Sequence, residues 1–149
     1  PKSVERIYFL KNKNATKPLI ILIGSIKDLD GFGINIDPQI EKILSRFWPG
    51  PTSIILTCDN PKFFYLSRGH KSLAFRLPKK PFLIELLKQT GPLISTSANP
   101  SNAPPATTVS EARKYFGDRV DFYLTGGKLT GRPSKIIKLE NGKIKIIRK

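Results

Sequence analysis

PLISTSANPSNAPP, from Pro92 to Pro105, passes from a short apolar start into a run of hydroxyls and amides, and then into a proline-rich loop. Pro92–Ser95 has the composition of a short strand. Just before it, Pro81 stands at a first helical position, Leu83, Leu86 and Leu87 follow at helical spacing, and Gly91 supplies the stop. A helix that runs straight into a buried strand is the repeating unit of an α/β sheet. The hydroxyls then fall at the carboxyl end of that strand, where open α/β sheets place ligands.

The same alternation recurs on both sides. Upstream, LIILI (Leu19–Ile23), SIILT (Ser53–Thr57) and SLAFRL (Ser72–Leu77) are short apolar runs that predict buried strands. Asp37 before Pro38 predicts a capped helix burying Ile40, Ile43, Leu44 and Phe47, stopped by WPGP at Trp48–Pro51. Ser3 is placed to cap a first helix carrying Val4, Ile7, Tyr8 and Leu10. Downstream, Val109–Gly117 predicts a short capped helix and Val120–Leu124 a strand. Asn141-Gly142 between KIIKL and KIKIIRK is a strong hairpin signal. These elements predict an α/β fold for residues 1–149, one domain with a mixed sheet and an antiparallel tail.

Composition narrows the classes of function. The chain has 149 residues, with 26 Lys and Arg against 11 Asp and Glu, for a formal charge of +15. Such a balance fits a polyanionic partner such as RNA, DNA, a nucleotide or anionic lipid, or else reflects lysines spread over a solvated surface. One cysteine, Cys58, and one histidine leave no internal disulfide and argue against a zinc site built from this chain. No metal ligands are assigned. No apolar run approaches the roughly 18–20 residues needed to span a bilayer, so no membrane role is expected. A reducing, cytoplasmic setting follows from the cysteine usage. The chain holds no Met and opens directly on helix-like spacing, which is expected of a sequence whose natural start lies further upstream.

Four places can carry chemistry. Lys11, Lys13 and Lys17 form either a phosphate-binding cluster or a solvated basic loop. Trp48-Pro49-Gly50-Pro51 is a rigid turn in which Gly50 is free to take positive φ, and Trp48 belongs to the core rather than to a stacked ligand. Arg76 ends an apolar strand, so it either snorkels to solvent or meets an anion. Ser95, Thr96, Ser97 and Asn99 form either an anion-binding edge or a self-capped turn.

Taken together, these stretches resemble the YrdC family, the threonylcarbamoyl-AMP synthases. The resemblance rests on RIYFLKNKNATKPL (Arg6–Leu19), RFWPGPTSIIL (Arg46–Leu56), LAFRLP (Leu73–Pro78), PLISTSANPSNAPPATTVSEA (Pro92–Ala112), VDFYLTGGKLTGRPSKII (Val120–Ile137) and IIRK (Ile146–Lys149), in the family's order and spacing. It implies a twisted mixed sheet with helices around a concave basic cavity. It also implies a reaction in which L-threonine and bicarbonate form a carbamate that attacks the α-phosphate of ATP, usually with Mg²⁺. Pyrophosphate leaves, and threonylcarbamoyl-AMP goes on to a transferase complex that modifies a tRNA adenosine. By position, Lys11 and Lys13 match a phosphate-binding Lys-x-Arg loop, and Arg76 matches a strand arginine near threonine and the phosphates. Ser95, Thr96, Ser97 and Asn99 match the segment lining the nucleotide and threonine pocket. Ser134 and Arg148 match a late serine and a terminal arginine on the nucleotide side.

The departures from the family pattern are specific. Lys13 stands where the family has Arg, and an ammonium cannot make the bidentate contact of a guanidinium. Asn99-Pro100-Ser101-Asn102 replaces a glycine-bearing loop, with Asn102 able to accept left-handed geometry. Ser134-Lys135 replaces a Ser-Thr pair. The family also carries an N-terminal Pro-Thr-(Asp/Glu)-Thr-x-Tyr-Gly-Leu segment in its threonine pocket, so the expectation is a longer functional protein, or a chain inactive by itself. Two alternatives remain beside the synthase: a non-catalytic RNA-binding module, and the YrdC-like domain of hydrogenase-maturation carbamoyltransferases. The lack of flanking zinc-finger cysteines argues against the latter.

Overall fold

A computed structural model of the chain describes residues 2–12, 19–140 and 142–149. The chain packs as two compact units. One comprises Pro1–Lys17 with Thr96–Arg132, and the other Pro18–Ser95 with Pro133–Lys149.

The second unit holds a six-stranded sheet. Its strands are β1 (Ile20–Leu22), β2 (Thr52–Thr57), β3 (Ser72–Arg76), β4 (Leu93–Ser95), β5 (Lys135–Glu140) and β6 (Lys143–Arg148), in the order β4-β1-β3-β2-β5-β6. β1 runs parallel to β3 and β2 parallel to β5, while the other three neighbours are antiparallel. The sheet is therefore mixed, as the alternation predicts. β5 and β6 pair as the expected hairpin, and Gly142 takes a φ of +70° at the turn. The Asn141 half of that signal lies outside the described residues.

The register sorts the side chains onto two faces. Ile21, Phe75, Ile54 and Ile137 align across β1, β3, β2 and β5, and all are buried. Leu73, Leu56 and Leu139 extend that layer along the strands. The Phe32 ring meets Phe75 edge-on at 4.9 Å, so the 3-10 segment Ile26–Phe32 covers this face. Burying each of these large side chains contributes roughly 1.5–3 kcal/mol. The opposite face carries Ser95, Ile20, Ala74, Arg76, Ile55, Ser53 and Ile136, a smaller and more polar set.

The helices of this unit begin and end as the local sequence requires. In α2 (Pro38–Leu44), the Asp37 carboxylate accepts from the Ile40 N–H at 2.7 Å. Only Leu44 of its expected core set is fully buried, while Ile40, Ile43 and Phe47 are half-buried. α3 (Phe64–Ser67) is a single turn, and α4 (Pro81–Thr90) ends at Gly91, with a φ of +74°. Trp48 is buried and donates Nε1–H to the Thr52 carbonyl at 2.8 Å, a core residue with its polar tip satisfied. Gly50 corrects the expectation of positive φ. A Cβ there would collide with the Phe47 carbonyl oxygen, so close approach and not left-handed geometry is what demands glycine.

In the first unit, α1 (Lys2–Lys11) buries Val4, Tyr8 and Lys11, positions spaced by four and three on one helical face. Ser3 lies within this helix and does not cap it. α5 (Val109–Phe116) is capped by Thr108, whose hydroxyl accepts from the Glu111 N–H at 3.2 Å. The expected strand at Val120–Leu124 does not form. No strand pairs with this segment, and side chains hold it instead. Arg6 bonds Asp121 at 2.7 Å, the Tyr123 hydroxyl donates to the Gly117 carbonyl, and the Arg113 guanidinium lies over the Tyr123 ring.

Candidate active site

The expected site residues divide between the two units. Lys11, Thr96, Ser97 and Asn99 fall in the first, and Arg76, Ser95, Ser134 and Arg148 in the second. Lys13 lies outside the described residues.

In the first unit, the Lys11 side chain is turned inward. Its Nζ donates to the Ser97 carbonyl at 2.6 Å, the Asn99 carbonyl at 2.5 Å and the Asn99 Oδ1 at 3.3 Å. Asn99 is buried and donates Nδ2–H to the Ala103 carbonyl at 2.6 Å. The Ser101 N–H donates to the Lys11 carbonyl, and the Ala106 N–H to the Ala98 carbonyl. These bonds wrap Ser97–Ala106 around the Lys11 ammonium. Asn102 takes a φ of +69°, the left-handed geometry expected where the family has glycine. The Thr96 and Ser97 side chains stay exposed at the mouth of a small hollow of about 130 Å³, floored by Ile7, Leu10 and Phe116.

In the second unit, Arg76 closes β3. Its Nε–H donates to the Gly50 carbonyl at 3.0 Å. Both terminal nitrogens make no hydrogen bond among the described residues, so the fork of the guanidinium is presented outward. Partial burial lowers its pKa from the ordinary value by desolvation, yet a guanidinium remains a cation at working pH. A desolvated cation with two open donors is suited to a phosphate or carboxylate. The turn that sterically requires Gly50 thus also supplies the carbonyl that orients Arg76.

Ser134 and Arg148 meet directly. Arg148 donates through Nε at 3.1 Å and Nη2 at 2.6 Å to the Ser134 carbonyl, with Nη2 also 3.4 Å from Ser134 Oγ. A register irregularity makes this possible. Ile137 pairs with Ile146, but Ile136 pairs with Arg148, so Ile147 is an extra residue in β6. In a regular ladder Arg148 would oppose Lys135 and point to the Ile137 face. The bulge moves it to the Ile136 face. Ser95, Arg76, Ser53 and Arg148 then share one side of the sheet.

Sequence reasoning missed Ser53. Its hydroxyl is fully buried, 2.9 Å from Ser134 Oγ. The available signal was a serine at a strand position between Pro51 and Ile55, where only a bonded polar group is tolerated inside. A second cavity, about 660 Å³, lies elsewhere, at the Leu56–Thr57 and Leu139–Glu140 ends of β2 and β5. Asp37 and Glu140 line it and no Lys or Arg does, which disqualifies it as a polyphosphate site.

A family model for Sua5, YciO and YrdC, described as telomere recombination, matches residues 1–149. The chain belongs to the Sua5/YciO/YrdC family. The threonylcarbamoyl-AMP synthase of Hahella chejuensis is 36% identical over 146 residues, covering 95% of this chain and 78% of that protein. Threonylcarbamoyl-AMP synthases are nucleotidyltransferase-type enzymes. The crystal structure of P. abyssi Sua5 complexed with L-threonine superposes with a TM-score of 0.88 at 28% identity. It is matched over 99% of this chain and 44% of its own, so this chain spans under half the length of that protein. The structure of E. coli YciO, at a TM-score of 0.83 and 21% identity, shares the fold. A YrdC-like mixed sheet with helices is thus the family architecture, as the sequence predicts.

Proposed function

We propose that this chain forms threonylcarbamoyl-AMP from L-threonine, bicarbonate and ATP. The carbamate oxygen of the threonine adduct bonds to the α-phosphorus of ATP, the bond from that phosphorus to the bridging oxygen breaks, and pyrophosphate leaves with the electron pair. The product serves threonylcarbamoyl modification of a tRNA adenosine through a downstream transferase complex in the cytoplasm. Relatives that carry the synthase name over 95% of this chain support the reading, as does the threonine complex of the P. abyssi protein.

The single observation that carries it is the Arg76 fork, anchored through Nε to Gly50 and open at both terminal nitrogens among the described residues. The reaction needs no nucleophilic side chain, because the substrate supplies one. It needs two anions held together and the charge of departing pyrophosphate neutralised. Arg76 and Arg148 in one unit are groups of that kind, and so, within the other unit, are the exposed hydroxyls of Thr96 and Ser97. Among the described residues no group of three or more His, Cys, Asp or Glu could hold a metal ion. Mg²⁺ is read as part of the substrate, carried on the ATP phosphates. Among the same residues no helix is long and apolar enough to cross a membrane.

The test is a chromatographic assay of the protein with MgATP and bicarbonate, with and without L-threonine. A threonine- and bicarbonate-dependent adenylate peak, with matching pyrophosphate, is the expected result. A folded protein giving no peak, but binding RNA with a steep salt dependence, would replace the synthase by an RNA-binding module.

A further inference from the structure

We infer that Ser53 is a positioning residue for polyphosphate binding, acting by deciding which way the Ser134 hydroxyl donates. The inference rests on the nucleotide-binding reading above and extends it to a residue that contacts no ligand.

Two buried hydroxyls 2.9 Å apart share one hydrogen bond and own two protons. Either atom can be the donor. If Ser134 donates, the Ser53 proton is left in a fully buried position with no acceptor among the described residues. That is the costly arrangement, because an unmet buried donor forfeits its hydration. If Ser53 donates, only its lone pairs go unused, and the remaining proton belongs to Ser134, which keeps 6% exposure against 0% for Ser53 and so has the way out. Ser53 makes no other side-chain hydrogen bond among the described residues, so the second direction is the stable one.

The outward proton has a defined neighbour. Arg148 spends Nε and Nη2 on Ser134, while its Nη1 makes no hydrogen bond among the described residues. An acceptor-only group arriving at this corner meets one O–H and one N–H, with the Arg76 fork on the same face of the sheet. Ionised phosphate oxygens are strong acceptors that outnumber any remaining phosphate proton, so the geometry selects that chemistry. The Ile147 bulge and the Ser53 hydroxyl act as parts of one device. The first brings Arg148 to the correct face, and the second turns Ser134 to donate.

The test is isothermal titration with inorganic pyrophosphate, and separately with ATP, on wild type, Ser53→Ala, Ser134→Ala and the double variant. Ser53→Ala is expected to weaken pyrophosphate binding about fivefold to tenfold, the loss expected for one hydrogen bond. In the Ser134→Ala background it should cost nothing further, since Ser53 acts only through Ser134. Ser53→Thr keeps the hydroxyl and should restore affinity to within about twofold. In turnover, KM for ATP should rise while kcat changes little. Additive losses, or wild-type affinity in Ser53→Ala, would overturn the inference, as would a wild-type protein that binds no pyrophosphate. Coupled binding in a protein that makes no adenylate would leave this inference standing and sink the synthase reading alone.

Discussion

The Lys11 Nζ lies 2.5 Å from the carbonyl oxygen of Asn99, and both residues are buried. Two further acceptors, the Ser97 carbonyl and Asn99 Oδ1, lie within 3.3 Å. Three ammonium protons thus meet three oxygens of one loop. In this conformation Lys11 builds the Ser97–Ala106 loop, and a phosphate would have to compete with those carbonyls for its protons. Replacing it by Met leaves the oxygens buried without a donor. Lys11→Met is expected to cost roughly 2–4 kcal/mol, which lowers Tm by on the order of 5–10 °C. Calorimetry decides it, and a fall of less than about 2 °C would rule out the role of staple.

Arg76 should show the opposite balance. Among the described residues it makes a single hydrogen bond, to Gly50, and its fork stays open. Arg76→Lys keeps the charge but loses both the anchor and the paired donors. Adenylate formation should fall at least about tenfold in kcat/KM, while Tm stays within a few degrees. Turnover within about twofold of wild type would show that no anion depends on that fork.

Gly50 tests the turn. Any Cβ there meets the Phe47 carbonyl oxygen, a backbone atom that cannot swing away. Gly50→Ala should destabilise by about 1–3 kcal/mol, through a forced backbone shift. It should also weaken ATP binding, because the Gly50 carbonyl orients Arg76. Urea denaturation and titration with ATP read the two effects. Loss of stability with unchanged affinity would separate the turn from the site.

Asp121 gives a pH dependence of known sign. Its carboxyl is held below the ordinary value, first by the hydrogen bond from Arg6 and then by the charge of that guanidinium. A carboxyl with a lowered folded pKa adds stability above its unfolded value of about 4 and loses it as pH falls through the folded value. Asp121→Asn should be slightly less stable than wild type from about pH 5 upward, with the difference closing below about pH 4. The effect is small because the pair is exposed. Urea titrations at several pH values measure it, and a difference that persists unchanged at pH 3 would contradict the assignment.

Much of this was legible in the chain itself. The apolar runs at Leu19–Ile23, Ser53–Thr57 and Ser72–Leu77 each became a strand, because short apolar β-rich runs have few alternatives once buried. Asp37-Pro38 capped a helix where expected, since that interaction spans three residues. Val120–Leu124 was misread for the converse reason. Its composition favours a strand, but a strand needs a partner, and here Arg6, Arg113 and Gly117 hold it as irregular chain. The inward turn of Lys11 was not legible, because a periodic pattern does not reveal which way a lysine at the end of a helix turns.

By itself the sequence determined the α/β alternation, the hairpin tail, the clustered hydroxyls and the linked motifs of the Sua5/YciO/YrdC family. All of these depend on neighbours a few residues apart or on motif order. Only the tertiary structure decided that Ser53 meets Ser134 across 81 positions, that Gly50 orients Arg76, and that an extra residue at Ile147 sets Arg148 on the polar face. The physical reason is register. Side chains alternate along a strand, so a shift of one residue exchanges the two faces, and that shift is set by hydrogen bonds to strands distant in the chain.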